Sequence, residues 1–197
     1  MVNKILFYEL IFVGVIILYN ILAVAIQTNK KNNRIILSNK KNANDMDNPY
    51  VGLRKMAFDM SFQQLGLTLN DSNIYGVILD WDIGDGIVTL VAYKTGDASL
   101  YFSSGGGVIG GGQNHYVCNA AKKFVKEATV YFDKSKIMYA IPLPDKNSIR
   151  FYFLTAKGKY CIHEQLKNIQ NKTSAYSDYF GIANDLITEL RKTIKEE

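Results

Sequence analysis

Six glycines fall within eight residues of this chain: Gly105, Gly106, Gly107, Gly110, Gly111 and Gly112, interrupted only by Val108 and Ile109. Gly105, Gly107 and Gly110 satisfy the pattern GxGxxG between an expected strand and an expected helix. In that setting backbone N–H groups and a helix amino terminus cradle phosphate. The dinucleotide form of the motif belongs to a βαβ unit, whereas hairpin strands come first here, and no Lys-Ser/Thr follows to make a P-loop. A second reading is a turn with positive φ angles, or a close approach of loop to sheet. Ordering so many glycines costs backbone entropy that a plain connection would avoid. Val108 and Ile109 then plug the edge of the core or form a contact point for a partner. His115 follows the glycines, where it would serve as a base toward a ligand held by the loop.

The remaining chemistry-bearing residues point less sharply. Cys118 lies three positions after His115 on the expected helix, which allows a nucleophilic Cys-His pair, but a small buried thiol is the simpler role. Asp80, Asp82 and Asp85 with Gly86 suggest a calcium loop, yet counting from Asp80 puts Gly84 at position 5, Asp85 at position 6 and Val91 at position 12. The EF-hand pattern fails. Asp80 and Asp82 are expected to face solvent on a half-buried strand. Cys118 and Cys161 show neither a CxxC pair nor a zinc spacing. No residues stand out as catalytic, and no motif calls for a cofactor or a metal.

Elements that would position these residues follow from periodicity. Leu53, Met56, Ala57 and Met60 recur at helical spacing over residues 50–65, after Pro49 and before Gly66. Tyr75, Val77, Leu79 and Trp81 then alternate with other residues, and Ile87 to Tyr93 and Ala98 to Phe102 continue as strands separated by Gly84-Asp85-Gly86 and Thr95-Gly96-Asp97. A second helix is expected over residues 116–132, and an extended connection over 137–144. A hairpin around Lys157-Gly158 follows, then a last helix over residues 176–195, with Ser177 as its expected cap.

This predicts an α+β domain over residues 48–197, in the order αβββαββα, with helices packed on one face of an antiparallel sheet. The order resembles that of type III secretion chaperones and their relatives, which implies a protein-binding fold. The segment from Leu100-Tyr101-Phe102 through Ser104-Gly105-Gly106-Gly107-Val108-Ile109-Gly110-Gly111-Gly112 into the helix resembles one in uncharacterised bacterial proteins, and implies no activity.

Ahead of the domain, residues 5–26 form an apolar run with a single charge, Glu9. At 1.5 Å per residue such a helix spans about 33 Å, close to the bilayer core. A transmembrane anchor is therefore expected over residues 1–28, with cleavage after Ala25 as the alternative. A polar tether over 29–47 carries Lys30, Lys31, Arg34, Lys40 and Lys41 with no acid among them, a collar suited to anionic headgroups and to a cytoplasmic domain. The formal charge of +5 belongs wholly to this end: residues 1–44 hold six basic side chains and one acid, while residues 45–197 hold 17 of each. A neutral domain lacks the basic surface that nucleic acid requires. The expected partners are the membrane and another protein or a second copy, with a small phosphorylated ligand at the glycines as the alternative.

Overall fold

A computed structural model describes residues 49–68 and 74–195. Helix α1 (Pro49–Asp59) leads to β1 (Ile74–Asp82), β2 (Ile87–Tyr93), β3 (Ala98–Phe102) and β4 (Gly107–Val108). Helix α2 (His115–Glu127) then leads through short 3₁₀ turns to β5 (Lys136–Met138). β6 (Ser148–Thr155) and β7 (Gly158–Gln165) form a hairpin, followed by the short α3 (Leu166–Gln170) and by α4 (Ser177–Lys192). The strands pair antiparallel in one seven-stranded sheet, in the order β4-β3-β2-β1-β6-β7-β5.

Both faces of the sheet are covered. On one side α2 and α4 pack Val117, Ala121, Phe124, Ala183 and Leu186 over the strands, and Tyr179 stacks on Phe124 at 4.9 Å and meets Phe151 at 4.8 Å. On the other side α1 sets Tyr50, Ala57 and Phe58 against Ile78, Val91 and Tyr152, with Phe58 edge-on to Tyr152 at 4.9 Å. Burying each of the larger apolar side chains among these contributes about 1.5–3 kcal/mol. Between α1 and the sheet sits an ion pair. Nε and Nη2 of Arg54 donate to Oδ2 of Asp80 at 3.0 and 2.6 Å, and Thr89 Oγ1 donates to Oδ1 at 2.6 Å. With its proton committed to Asp80, the Thr89 hydroxyl accepts from Tyr50, 2.9 Å away.

Several expectations are corrected. The order is αββββαβββαα, because a two-residue strand within the glycine segment and a three-residue strand at Lys136–Met138 extend the sheet, and α3 interrupts the final connection. The helices lie on both faces, so the strand positions read as solvent-facing are buried: Asp80 is 0% exposed, and Asp82 bonds the backbone N–H groups of Gly84 and Asn147. Ser177 does not cap α4; its hydroxyl donates to the carbonyls of Ser174 and Ile169. The transmembrane helix is not among the structure's elements: no helix of the described residues is long and apolar enough to cross a membrane. The segment expected to span, and the collar of Lys30, Lys31, Arg34, Lys40 and Lys41, lie outside the described residues.

Removing one partner of a buried ion pair leaves the other charge uncompensated. Arg54→Met is expected to cost about 3–5 kcal/mol in urea denaturation, and Arg54→Met with Asp80→Leu to recover most of that loss.

Candidate functional site

The glycine segment folds as a hairpin at the edge of the sheet. The N–H of Phe102 donates to Gly106 O at 3.2 Å and that of Gly105 to Phe102 O at 2.9 Å, closing the turn between β3 and β4. Gly107 has φ 150° and sits so close to β3 that a Cβ would lie 2.1 Å from the Leu100 carbonyl oxygen. At Gly112 a Cβ would lie 2.8 Å from Asp97 Cα and 2.9 Å from Gly96 O, so the chain passes directly over the β2–β3 turn. Gly107 and Gly112 are thus needed for close approach of backbone to backbone, and Gly105, Gly106 and Gly110 for positive φ in open space, which are the two forms of the second reading drawn from the sequence.

The same hairpin borders a pocket of about 290 Å³ with an apolar lining. Pro49, Tyr50 and Leu53 of α1 form one wall; Tyr101, Phe102 and the stretch Gly105, Gly106, Gly107 and Ile109 form the other. Ile109 is 67% exposed at its rim, whereas Val108 is half-buried. Sequence reasoning identified the glycines and Ile109 but missed the α1 wall. The only signal for it was the helical spacing from Leu53 onward, which does not say what the helix packs against.

The other candidates separate. His115 opens α2, exposed, with Nε2 2.9 Å from Asn119 Nδ2, and it does not line the pocket. Gly110 N–H is taken by Ser99 Oγ at 3.1 Å, and Gly111 packs where a Cβ would meet Leu190 at 2.5 Å. The amino terminus of α2, where a phosphate would bind, is occupied by its own cap: Asn114 Oδ1 accepts from the N–H groups of Tyr116 and Val117 at 2.9 and 3.3 Å. Cys118 Sγ faces Gly96 across the interface, where an added Cβ would come within 2.4 Å of it. Asp80 bonds Arg54, whereas Asp82 bonds the N–H groups of Gly84 and Asn147.

No family model, curated protein or solved structure matches the chain. The site must therefore be read from its own geometry.

Ionisation in the core follows burial. For Asp80 desolvation outweighs the bonds from Arg54 and Thr89 and holds the carboxyl above its ordinary range. Burial pulls the Arg54 guanidinium down, but Asp80 more than offsets this, so it ends above its ordinary value and stays charged. Burial also pushes the Tyr50 phenol to about 12, against the bond with Thr89, and the Cys161 thiol to about 11, against a bond from Arg150. At pH 8 only about a thousandth of Cys161 is then thiolate.

Two outcomes test this description. Cys161 should resist iodoacetamide at pH 8 in the native protein and react in urea, read by mass spectrometry of the labelled peptides. Gly107→Ala should lower stability by more than Gly105→Ala, because Gly105 also has positive φ but nothing within 4 Å of an added Cβ. The expected costs are about 2 kcal/mol or more and about 1 kcal/mol, measured by urea denaturation.

Proposed function

We propose that the domain is a protein-binding module that takes an extended partner segment along the outer edge of β4, with a bulky apolar side chain of the partner in the adjoining pocket. The observation that carries this reading is the pairing of that pocket with an open strand edge. Antiparallel pairs alternate between residues that exchange hydrogen bonds across the pair and residues that turn their N–H and C=O away. The bond from Phe102 N–H to Gly106 O fixes the phase, so Leu100 and Val108 exchange bonds and Gly107 turns its polar groups outward. A strand laid there sends every second side chain toward the α1 side, over the apolar wall of Pro49, Tyr50 and Leu53. Main-chain bonds would supply affinity, and the pocket would select the side chain.

An aromatic or leucine side chain suits 290 Å³ of apolar space. A phosphate does not, because the lining offers no cationic side chain and Asn114 already satisfies the nearby helix end. The partner is another chain, of this protein or of a different one.

Peptides selected by display on the folded full-length chain provide the test. They should share one large apolar residue, slow exchange of the Gly107 amide when bound, and lose about tenfold or more in affinity on Ile109→Glu, a substitution at an exposed position. Binding that ignores this substitution, with protection elsewhere, would sink the proposal. Concentration-dependent sedimentation that disappears in the same variant would identify a second copy as the occupant.

A further inference from the structure

The opposite edge of the sheet differs in both charge and pattern. β5 is the terminal strand, and its three residues pair only with Lys159, Tyr160 and Cys161 of β7, so that among the described residues no further strand pairs with that side of β7 from Ile162 onward. The donor and acceptor phase can be read from the other side. Leu166 N–H donates to Asn147 O at 2.9 Å, which makes Ile149–Glu164, Phe151–Ile162 and Phe153–Tyr160 the bonded pairs of the β6–β7 ladder. Lys159, Cys161 and His163 therefore turn their backbone groups away from β6. Lys136 and Met138 of β5 meet those of Cys161 and Lys159, which leaves Ile137 with its N–H and C=O directed outward. Among the described residues no strand pairs with β7 at His163 on that side, and the neighbouring Gln165 N–H is satisfied by the Glu164 side chain, as this phase requires.

Side chains along this edge are sorted by face. Lys136 and Lys159 lie on the α1 side, in register with Cys161 and Leu154, and His163 lies further along the same side beside Arg150. The acid at that face is Asp145, which touches Arg150 at 3.4 Å and His163 at 3.3 Å and is itself exposed. Arg150 is largely buried, and its Nε has no hydrogen-bond partner. Ile137 lies on the opposite face with Tyr160, which packs on Phe132 at 4.8 Å. Lysine on an edge strand ordinarily keeps other strands away. Such a guard does not explain why the same edge also displays Ile137 and a Tyr139 that is 96% exposed.

We propose that the outer edge of β5 accepts an extended partner segment in which acidic and apolar residues alternate. An acidic residue opposite Lys136 would fall on the cationic side, and its neighbours would lie against Ile137 on the other. Charge complementarity selects the partner and sets its register, while backbone pairing with Ile137 supplies the strand contact. This surface is separate from the β4 pocket, so either can fail without the other.

The experiment measures fluorescence anisotropy of the full-length chain with three labelled peptides of about nine residues. One alternates glutamate with valine and threonine, one replaces glutamate by lysine, and one carries proline at its centre. The glutamate peptide should bind at least about tenfold more tightly than the lysine peptide, weaken as salt rises, and lose binding with the central proline, which removes a needed N–H. Lys136→Glu should weaken it about tenfold or more without changing the thermal melt, since the side chain is exposed; Lys159→Glu should act in the same direction; Ile109→Glu should have no effect. Equal binding of the glutamate and lysine peptides, indifference to Lys136→Glu, no binding, or an edge occupied by a second copy in sedimentation would each overturn the proposal.

Discussion

The Arg54–Asp80 pair is the constraint from which the arrangement of this domain follows. A guanidinium and a carboxylate removed from water are tolerable only when each lone pair and donor finds a partner. Here Asp80 is satisfied by Arg54 and Thr89, and Arg54 also donates to the carbonyls of Ile141 and Pro142 at 3.1 and 3.3 Å. The guanidinium lies over the Phe58 ring at 4.8 Å. One side chain thus ties α1, the central strand β1 and the crossing segment before β6 together. Tyr152 closes the same knot by donating to Pro142 O at 2.5 Å. None of these three elements can shift alone without exposing an unpaired polar group to the core.

That fixed position of α1 creates the pocket. The helix is held over the middle of the sheet, its first turn reaches the hairpin of β3 and β4, and the space between them remains open where Gly105, Gly106 and Gly107 put no side chain into the far wall. At Gly107 the backbone needs that emptiness for its own packing on Leu100, so the conformation that admits a partner side chain is also the one required by the fold. The sheet then ends in two edges of different character: an apolar one beside glycines and a cationic one beside exposed Ile137 and Tyr139. Both are short strands, which limits indiscriminate pairing.

Much of the domain was legible in the sequence. The first three strands and their turns agree closely with the expected segments, because Gly84-Asp85-Gly86 and Thr95-Gly96-Asp97 are local turn signals that need no tertiary help. Helix α2 was visible from its apolar face, and the β6–β7 hairpin from Lys157-Gly158. The short strands β4 and β5 were not legible, since two or three residues carry no periodicity and exist as strands only through their neighbours. Asp80 was misread for the same reason: alternation locates one core-facing side, and the second covering layer, α1, is not encoded in β1 itself.

The sequence by itself determined the antiparallel α+β class, the placement of the charge excess outside the domain, and the glycine segment as its most unusual feature. These rest on local propensity, turn chemistry and charge, which act between near neighbours in the chain. Only the tertiary structure decided that Arg54 meets Asp80 across 26 positions, that both sheet faces are buried, and that the glycines make an edge hairpin bordering a pocket. Those outcomes depend on which surfaces pack together, and a buried charge has no fixed meaning until its partner arrives beside it.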